Sequence, residues 1–109
     1  MMKIRIGKEF NTQSLDPQDL ESLKDITPLP LKEAWTIRVD LISKANRLNK
    51  LGKQRVLQGE RFHEKAMRLR VEAALLWEAS VLNEKGNVEM VWGDGFCRLP
   101  TGETFQKGE

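Results

Sequence analysis

Asn46–Arg70 reads NRLNKLGKQRVLQGERFHEKAMRLR, and how this stretch is folded decides the architecture of the chain. It carries eight cations (Arg47, Lys50, Lys53, Arg55, Arg61, Lys65, Arg68 and Arg70) against Glu60 and Glu64. It also carries Gly52 and Gly59, and each glycine inside a helix costs about 1 kcal/mol relative to alanine. Two readings compete. Gly52 is a natural helix end, which makes KLGKQ a short connection between antiparallel helices. Alternatively, Leu41, Ala45, Leu48, Gly52, Arg55, Gly59, Phe62, Ala66 and Leu69 keep an unbroken four-three rhythm, the mark of a coiled-coil seam. One helix from Pro30 to Asn83 would be roughly 80 Å long at about 1.5 Å per residue. It could not fold back on itself and would need a partner chain.

Both flanks of this stretch have helical periodicity. Before it, Ala34, Ile37, Leu41, Ala45 and Leu48 line one face, widened by Trp35, Val39 and Ile42. After it, Phe62, Ala66, Leu69, Ala73, Leu76 and Ser80 line another. The expected helices span 30–51 and 54–85, with Gly86 as a left-handed cap. Upstream, KIRIGKEF alternates like a strand within 1–10. Asp16 and Pro17 have the chemistry to start a short helix over 16–26. Downstream, VEMVWGDGFCRL reads as a β-hairpin within 87–105, turning on Asp94-Gly95. A two-residue loop sets Trp92 opposite Cys97, Met90 opposite Leu99 and Val88 opposite Thr101. ETF is read as the start of a third strand. The fold class expected is α+β in a single domain, 1–109. Two long amphipathic helices, as an antiparallel hairpin or as one long helix in a dimer, pack with a small antiparallel sheet. That sheet draws on the N-terminal strand and the C-terminal hairpin.

The chain has 109 residues and a net charge of +2, unevenly placed. Residues 38–70 hold ten cations against three carboxylates, between mildly acidic ends. Cys97 is the only cysteine, so no intramolecular disulfide can form. MMKIRIGKEF lacks the apolar core of a signal peptide, and VEAALLWEASVL is too short and too charged to span a bilayer. A cytoplasmic location is the expectation.

The residue types argue against several chemistries. In FHEKAM, Met67 stands where a metalloprotease helix would need a second histidine. His63 and Cys97, one of each and far apart, do not make a zinc site. Cys97 falls on the apolar face of the hairpin and lacks an activating neighbour, so it reads as an inert buried thiol. GDG is turn chemistry and no phosphate loop is present. No catalytic, cofactor-binding or metal-ligating residue is nominated, and no cofactor or small-molecule substrate is inferred.

What remains is binding. Lys44, Arg47, Lys50, Lys53, Arg55, Arg61, Lys65 and Arg68 are candidate contacts to an anionic partner; Arg61, Lys65 and Arg68 share a helix flank. Trp35, Leu75, Trp77, Val81 and Leu82 are candidate interface residues if they are not core. The expected function is a non-catalytic interaction or regulatory protein. It would self-associate through its helices as a dimer or other homo-oligomer, and present a basic flank to an acidic protein surface. The alternative is a nucleic-acid-binding protein using the same basic block, 44–70, on phosphates. The scarcity of aromatics among the cations weakens that alternative.

Overall fold

The structure, a computed structural model, describes residues 21–54, 59–93 and 95–106. A short 3-10 helix, Ser22–Asp25, leads into α1, Leu31–Gln54, and α2, Gly59–Lys85. Three short strands follow: β1, Val91–Gly93; β2, Phe96–Arg98; and β3, Thr104–Gln106. The expected strand within 1–10, residues 16–20 of the expected short helix, and Arg55 lie outside the described residues.

α1 and α2 pack along their lengths as an antiparallel hairpin. Their hydrogen bonds give the direction. Asn49 meets His63 near one end, Asn46 meets Arg70 further in, and Leu31 meets Glu84 at the other end. Moving back along α1 moves forward along α2. The single long helix is therefore excluded, but the chain does not reverse at Gly52 as the sequence suggests. Gly52 lies inside α1 and is buried, so α1 runs to Gln54 rather than stopping at residue 51. Its missing side chain serves packing. Gly52, Ala34 and Ala45 on α1 face a partner helix with Ala66 and Ala73, all four alanines fully buried. Small residues at such positions let two helix backbones approach closely.

The seam of α1 differs from the sequence expectation by one residue. The buried line is Leu31, Trp35, Arg38, Ile42, Ala45 and Gly52, with half-buried Asn49 between the last two. This keeps the four-three rhythm. Ile37, expected in the seam, is 39% exposed, while Leu41 and Leu48 sit half-buried at its edge. The seam of α2 is as expected: Ala66, Ala73 and Ser80 are buried, and Phe62, Leu69 and Leu76 are partly so.

The start of α1 is held by the end of α2. The Ser80 hydroxyl accepts a hydrogen bond from Leu29 N–H at 3.1 Å. Glu84 Oε2 accepts one from Leu31 N–H at 3.3 Å. The first N–H groups of a helix have no partner within it, and a carboxylate there also suits the helix dipole. Just beyond Glu84, at this same end of α2, Gly86 takes φ 76°, the left-handed cap expected.

The sheet has the order β1-β2-β3, antiparallel throughout. Trp92 pairs with Cys97 and Gly93 with Phe96, so two residues separate the paired strands and the expected register holds there. Val88 and Thr101 do not pair in the sheet. The strands end earlier, and Pro100 and Thr101 enter a tight turn in which Gly102 N–H donates to Leu99 carbonyl oxygen at 2.9 Å. β3 sets Phe105 beside Cys97, so Trp92, Cys97 and Phe105 form one row across the sheet. Burial marks this row, with Met90 and Leu99, as the face turned to the helices.

The core is centred on tryptophan. Trp35 meets Trp77 edge-on with ring centroids 5.1 Å apart, and stacks on Trp92 at 6.0 Å. Phe105 closes the group at 5.1 Å from Trp77. Both buried indoles find acceptors: Trp35 Nε1–H donates to the Gln106 carbonyl at 2.9 Å, and Trp77 Nε1–H to Met90 Sδ at 3.1 Å. Lys85 and Glu103 add an ion pair of 2.8 Å between the end of α2 and the sheet turn. Each sharpens the other's charge: the hydrogen bond raises the Lys85 pKa and lowers that of Glu103.

Gly93 is tightly placed. A Cβ there would run into the ring of Phe96, its cross-strand partner. Gly93→Ala is expected to cost about 1–3 kcal/mol, the usual range for overpacking. A urea titration checks it, and Phe96→Ala in the same chain should recover part of the loss. A Gly93→Ala stability equal to the parent's would show that the ring simply swings aside.

Candidate functional site

The helical hairpin has two sides. On one, Asn46 and Asn49 of α1 meet Arg70 and His63 of α2. The Asn46 carbonyl oxygen accepts from Arg70 Nη2 at 2.6 Å. The Asn49 amide satisfies both neighbours when its nitrogen donates to His63 Nδ1 at 2.6 Å and its oxygen accepts from Arg70 at 2.8 and 3.0 Å. Burial lowers the Arg70 pKa. Toward the base of the hairpin, this same side turns Trp35, Trp77 and Arg38 to the sheet.

On the other side, among the described residues, no strand covers the hairpin. Each helical residue turns about 100° from the last. In an antiparallel pair, that rotation brings Ile37, Leu41, Lys44, Leu48 and Leu51 of α1 to the flank that bears Arg61, Lys65 and Arg68 of α2. The spacing of the α1 group is again four-three-four-three. Leu51 is 39% exposed like Ile37, and Leu41, Leu48, Phe62 and Leu69 are half-buried between them. Arg47, half a turn from buried Arg38, stands on the outer face of α1. Lys44, Arg47, Arg61, Lys65 and Arg68 are all exposed. Lys44 is drawn to Asp40 at 3.1 Å, a pair worth little in water. Among the described residues the other four make no ion pair. Glu72 is exposed at the sheet end of this flank.

The structure therefore divides the candidate anion contacts. Lys44, Arg61, Lys65 and Arg68 share the open flank, and Arg47 stands on the outer face of α1. Lys50 and Lys53 are exposed but turn toward the asparagine side. Of the candidate interface residues, Trp35, Leu75, Trp77 and Val81 are buried within the chain, so they have no surface to offer a second copy; only Leu82, 40% exposed, does. The half-exposed apolar stripe was not nominated as a contact surface. Its signal was present, because Ile37, Leu41 and Leu48 were read as the seam itself.

A second polar group is buried at the base. The Arg38 guanidinium lies 4.6 Å over the Trp92 ring and is fully buried. Burial lowers its pKa to about 10, so it stays a cation at neutral pH. Glu78, 1% exposed, has its pKa raised by burial to about 7, held from rising further by Arg38. Burial pushes the Cys97 thiol up to about 12. A thiol so reluctant to ionise is a poor nucleophile. The cluster is closed off from the surface and reads as part of the core.

A depression on the outer face of α2 is lined by Glu60, His63, Glu64, Met67 and Arg68. Among the described residues, no three His, Cys, Asp or Glu side chains are grouped to hold a metal ion, and no helix is long and apolar enough to cross a membrane. The chain matches no protein-family model, no curated protein and no solved structure at a significant level.

Proposed function

We propose that this chain is a non-catalytic binding module that docks an acidic partner protein on the open flank of its helical hairpin. One observation carries the reading: Arg61, Lys65 and Arg68 are exposed together on one flank of α2, and none is neutralised by an ion pair among the described residues. Cations held by two packed helices are positioned in advance, which favours steered association with an opposite charge. The seam a second copy would use is occupied within the chain, so the surface supports docking better than self-association. The nucleic-acid alternative lacks support of its own. Among the described residues Phe62 is the one aromatic on the flank, and it is half-buried, so they offer no stacking platform there for bases.

Fluorescence anisotropy with labelled polyglutamate, a DNA duplex and a single strand, each over a salt series, tests the proposal. Polyglutamate should bind, and more weakly as salt rises. The triple variant Arg61→Glu, Lys65→Glu, Arg68→Glu should lose about tenfold or more, taking about 0.5 kcal/mol per exposed pair. A preference for either oligonucleotide at matched salt would replace this reading with the nucleic-acid one, and no salt-sensitive binding to any probe would remove both.

A further inference from the structure

The open flank is not uniformly charged. Between the cations of α1 and those of α2 runs a floor of Leu41, Leu48, Leu51, Phe62 and Leu69, continued by Ile37. A purely electrostatic contact has no use for it. An anionic polymer held by its charges would leave these side chains partly in water. An apolar ligand would leave the cations unpaired. A surface that satisfies both has apolar residues in a row and carboxylates on either side of that row.

We infer that the occupant of this flank is an acidic amphipathic helix of the partner protein, lying along the groove between α1 and α2. The inference rests on the docking reading above and names the shape of the partner. Two packed helices leave a groove parallel to their axes, and a third helix with apolar residues at i, i+3, i+4 and i+7 fits such a groove. The α1 stripe runs from Ile37 to Leu51, roughly 21 Å at about 1.5 Å per residue, which matches about four turns of a docked helix. Charge complementarity sets its sign. Lys44 stands on the outer part of the α1 stripe, level with Leu51; Arg61, Lys65 and Arg68 border the floor on the α2 side. Asp40 is bound to Lys44, Glu33 lies one turn before Ile37, Glu60 and Glu64 lie beside Arg68 on the outer side of α2, and Glu72 stands at the sheet end. The partner's carboxylates therefore belong on both edges of its apolar stripe. Its more basic end, if it has one, belongs near Glu72.

The test uses two synthetic peptides of identical composition, leucine with glutamate and alanine. One places leucine at i, i+3, i+4 and i+7; the other scatters it. The amphipathic peptide should bind the full chain about tenfold more tightly, equivalent to about 1.4 kcal/mol. Leu51→Ser and Ile37→Ser each change a side chain already 39% exposed, so the fold should survive, as circular dichroism would show. Each should erase the preference while leaving the scattered peptide's affinity unchanged. The charge-reversal triple variant should weaken both peptides. Equal binding of the two peptides by the parent chain would overturn the helix groove and leave the basic docking face standing. Binding of neither, with polyglutamate also silent, would overturn the docking reading itself. Tighter binding of duplex DNA than of the amphipathic peptide at matched salt would overturn both.

Discussion

Trp77→Ala should lose about 3–5 kcal/mol, the range for deleting a large buried aromatic side chain. Trp77 is fully buried, meets Trp35 and Phe105 edge-on at 5.1 Å each, and donates its indole N–H to Met90 Sδ. It thus joins both helices and the sheet. A domain of ordinary stability has only about 5–15 kcal/mol in total, so this one change removes a large share of it. Urea unfolding followed by near-ultraviolet dichroism would measure the loss. Trp77→Phe keeps most of the apolar volume and gives up the indole hydrogen bond, so it should cost much less and remain folded. If Trp77→Ala cost under about 1 kcal/mol, the site would not be the load-carrying centre of the core that its contacts imply.

Stability should fall as pH rises from about 5 to about 8, against the usual trend, and Glu78 should be the cause. Its carboxyl has a folded pKa of about 7 against an ordinary 4.5, raised by burial. The folded chain therefore holds this proton more tightly than the unfolded chain does. The contribution to stability is complete below about 4.5 and is lost as pH climbs through about 7. At about 1.36 kcal/mol per pKa unit, the loss is about 3 kcal/mol. The other charged groups at this spot add no slope in that window. Arg38, facing Glu78 from α1, titrates near 10, and Cys97 from β2 near 12. Glu103, whose pKa is lowered, acts below the window. Urea midpoints at pH 5 and pH 8 give the measurement. Glu78→Gln should flatten most of the drop. Arg38→Met should extend it to higher pH, because the cation is what limits the rise of the Glu78 pKa. An equal drop in Glu78→Gln would assign the effect elsewhere.

Much of the fold was legible because it depends on short-range chemistry. Asp94-Gly95 between alternating apolar residues set the loop length and the Trp92–Cys97 register, since a one-residue slip would turn every side chain to the other face. Glycine at 86 marked the end of α2 because it can take a positive φ. The Phe62–Ser80 stripe needed no correction, although residues 73–81 of α2 are buried on nearly every side. The anion contacts were legible as residue types but not as a surface. Spacing along one helix says nothing of which flank the partner helix leaves open, and so could not separate Lys50 and Lys53 from Lys44.

The sequence by itself determined the helical segments on either side of residues 52–59, though not that they fold back on each other, together with the terminal hairpin turn, the apolar environment of Cys97 and the concentration of positive charge in the middle of the chain. These follow from periodicity, turn preference and composition, all of which act over a few residues. Only the tertiary structure decided that α1 runs through Gly52, and which of two neighbouring stripes on α1 is its seam. Ile37 and Arg38 differ by about 100° of rotation, and by hydrophobicity the isoleucine should have been inside. The choice went to Arg38 because Trp92, stacked beneath its guanidinium, and Glu78, which opposes its charge, come from segments far along the chain. Burying a cation costs several kcal/mol unless such groups surround it. No local pattern around residue 38 could have shown that they would. Turning Arg38 inward also turned Ile37, Leu41, Leu48 and Leu51 toward the surface, beside the cations of α2.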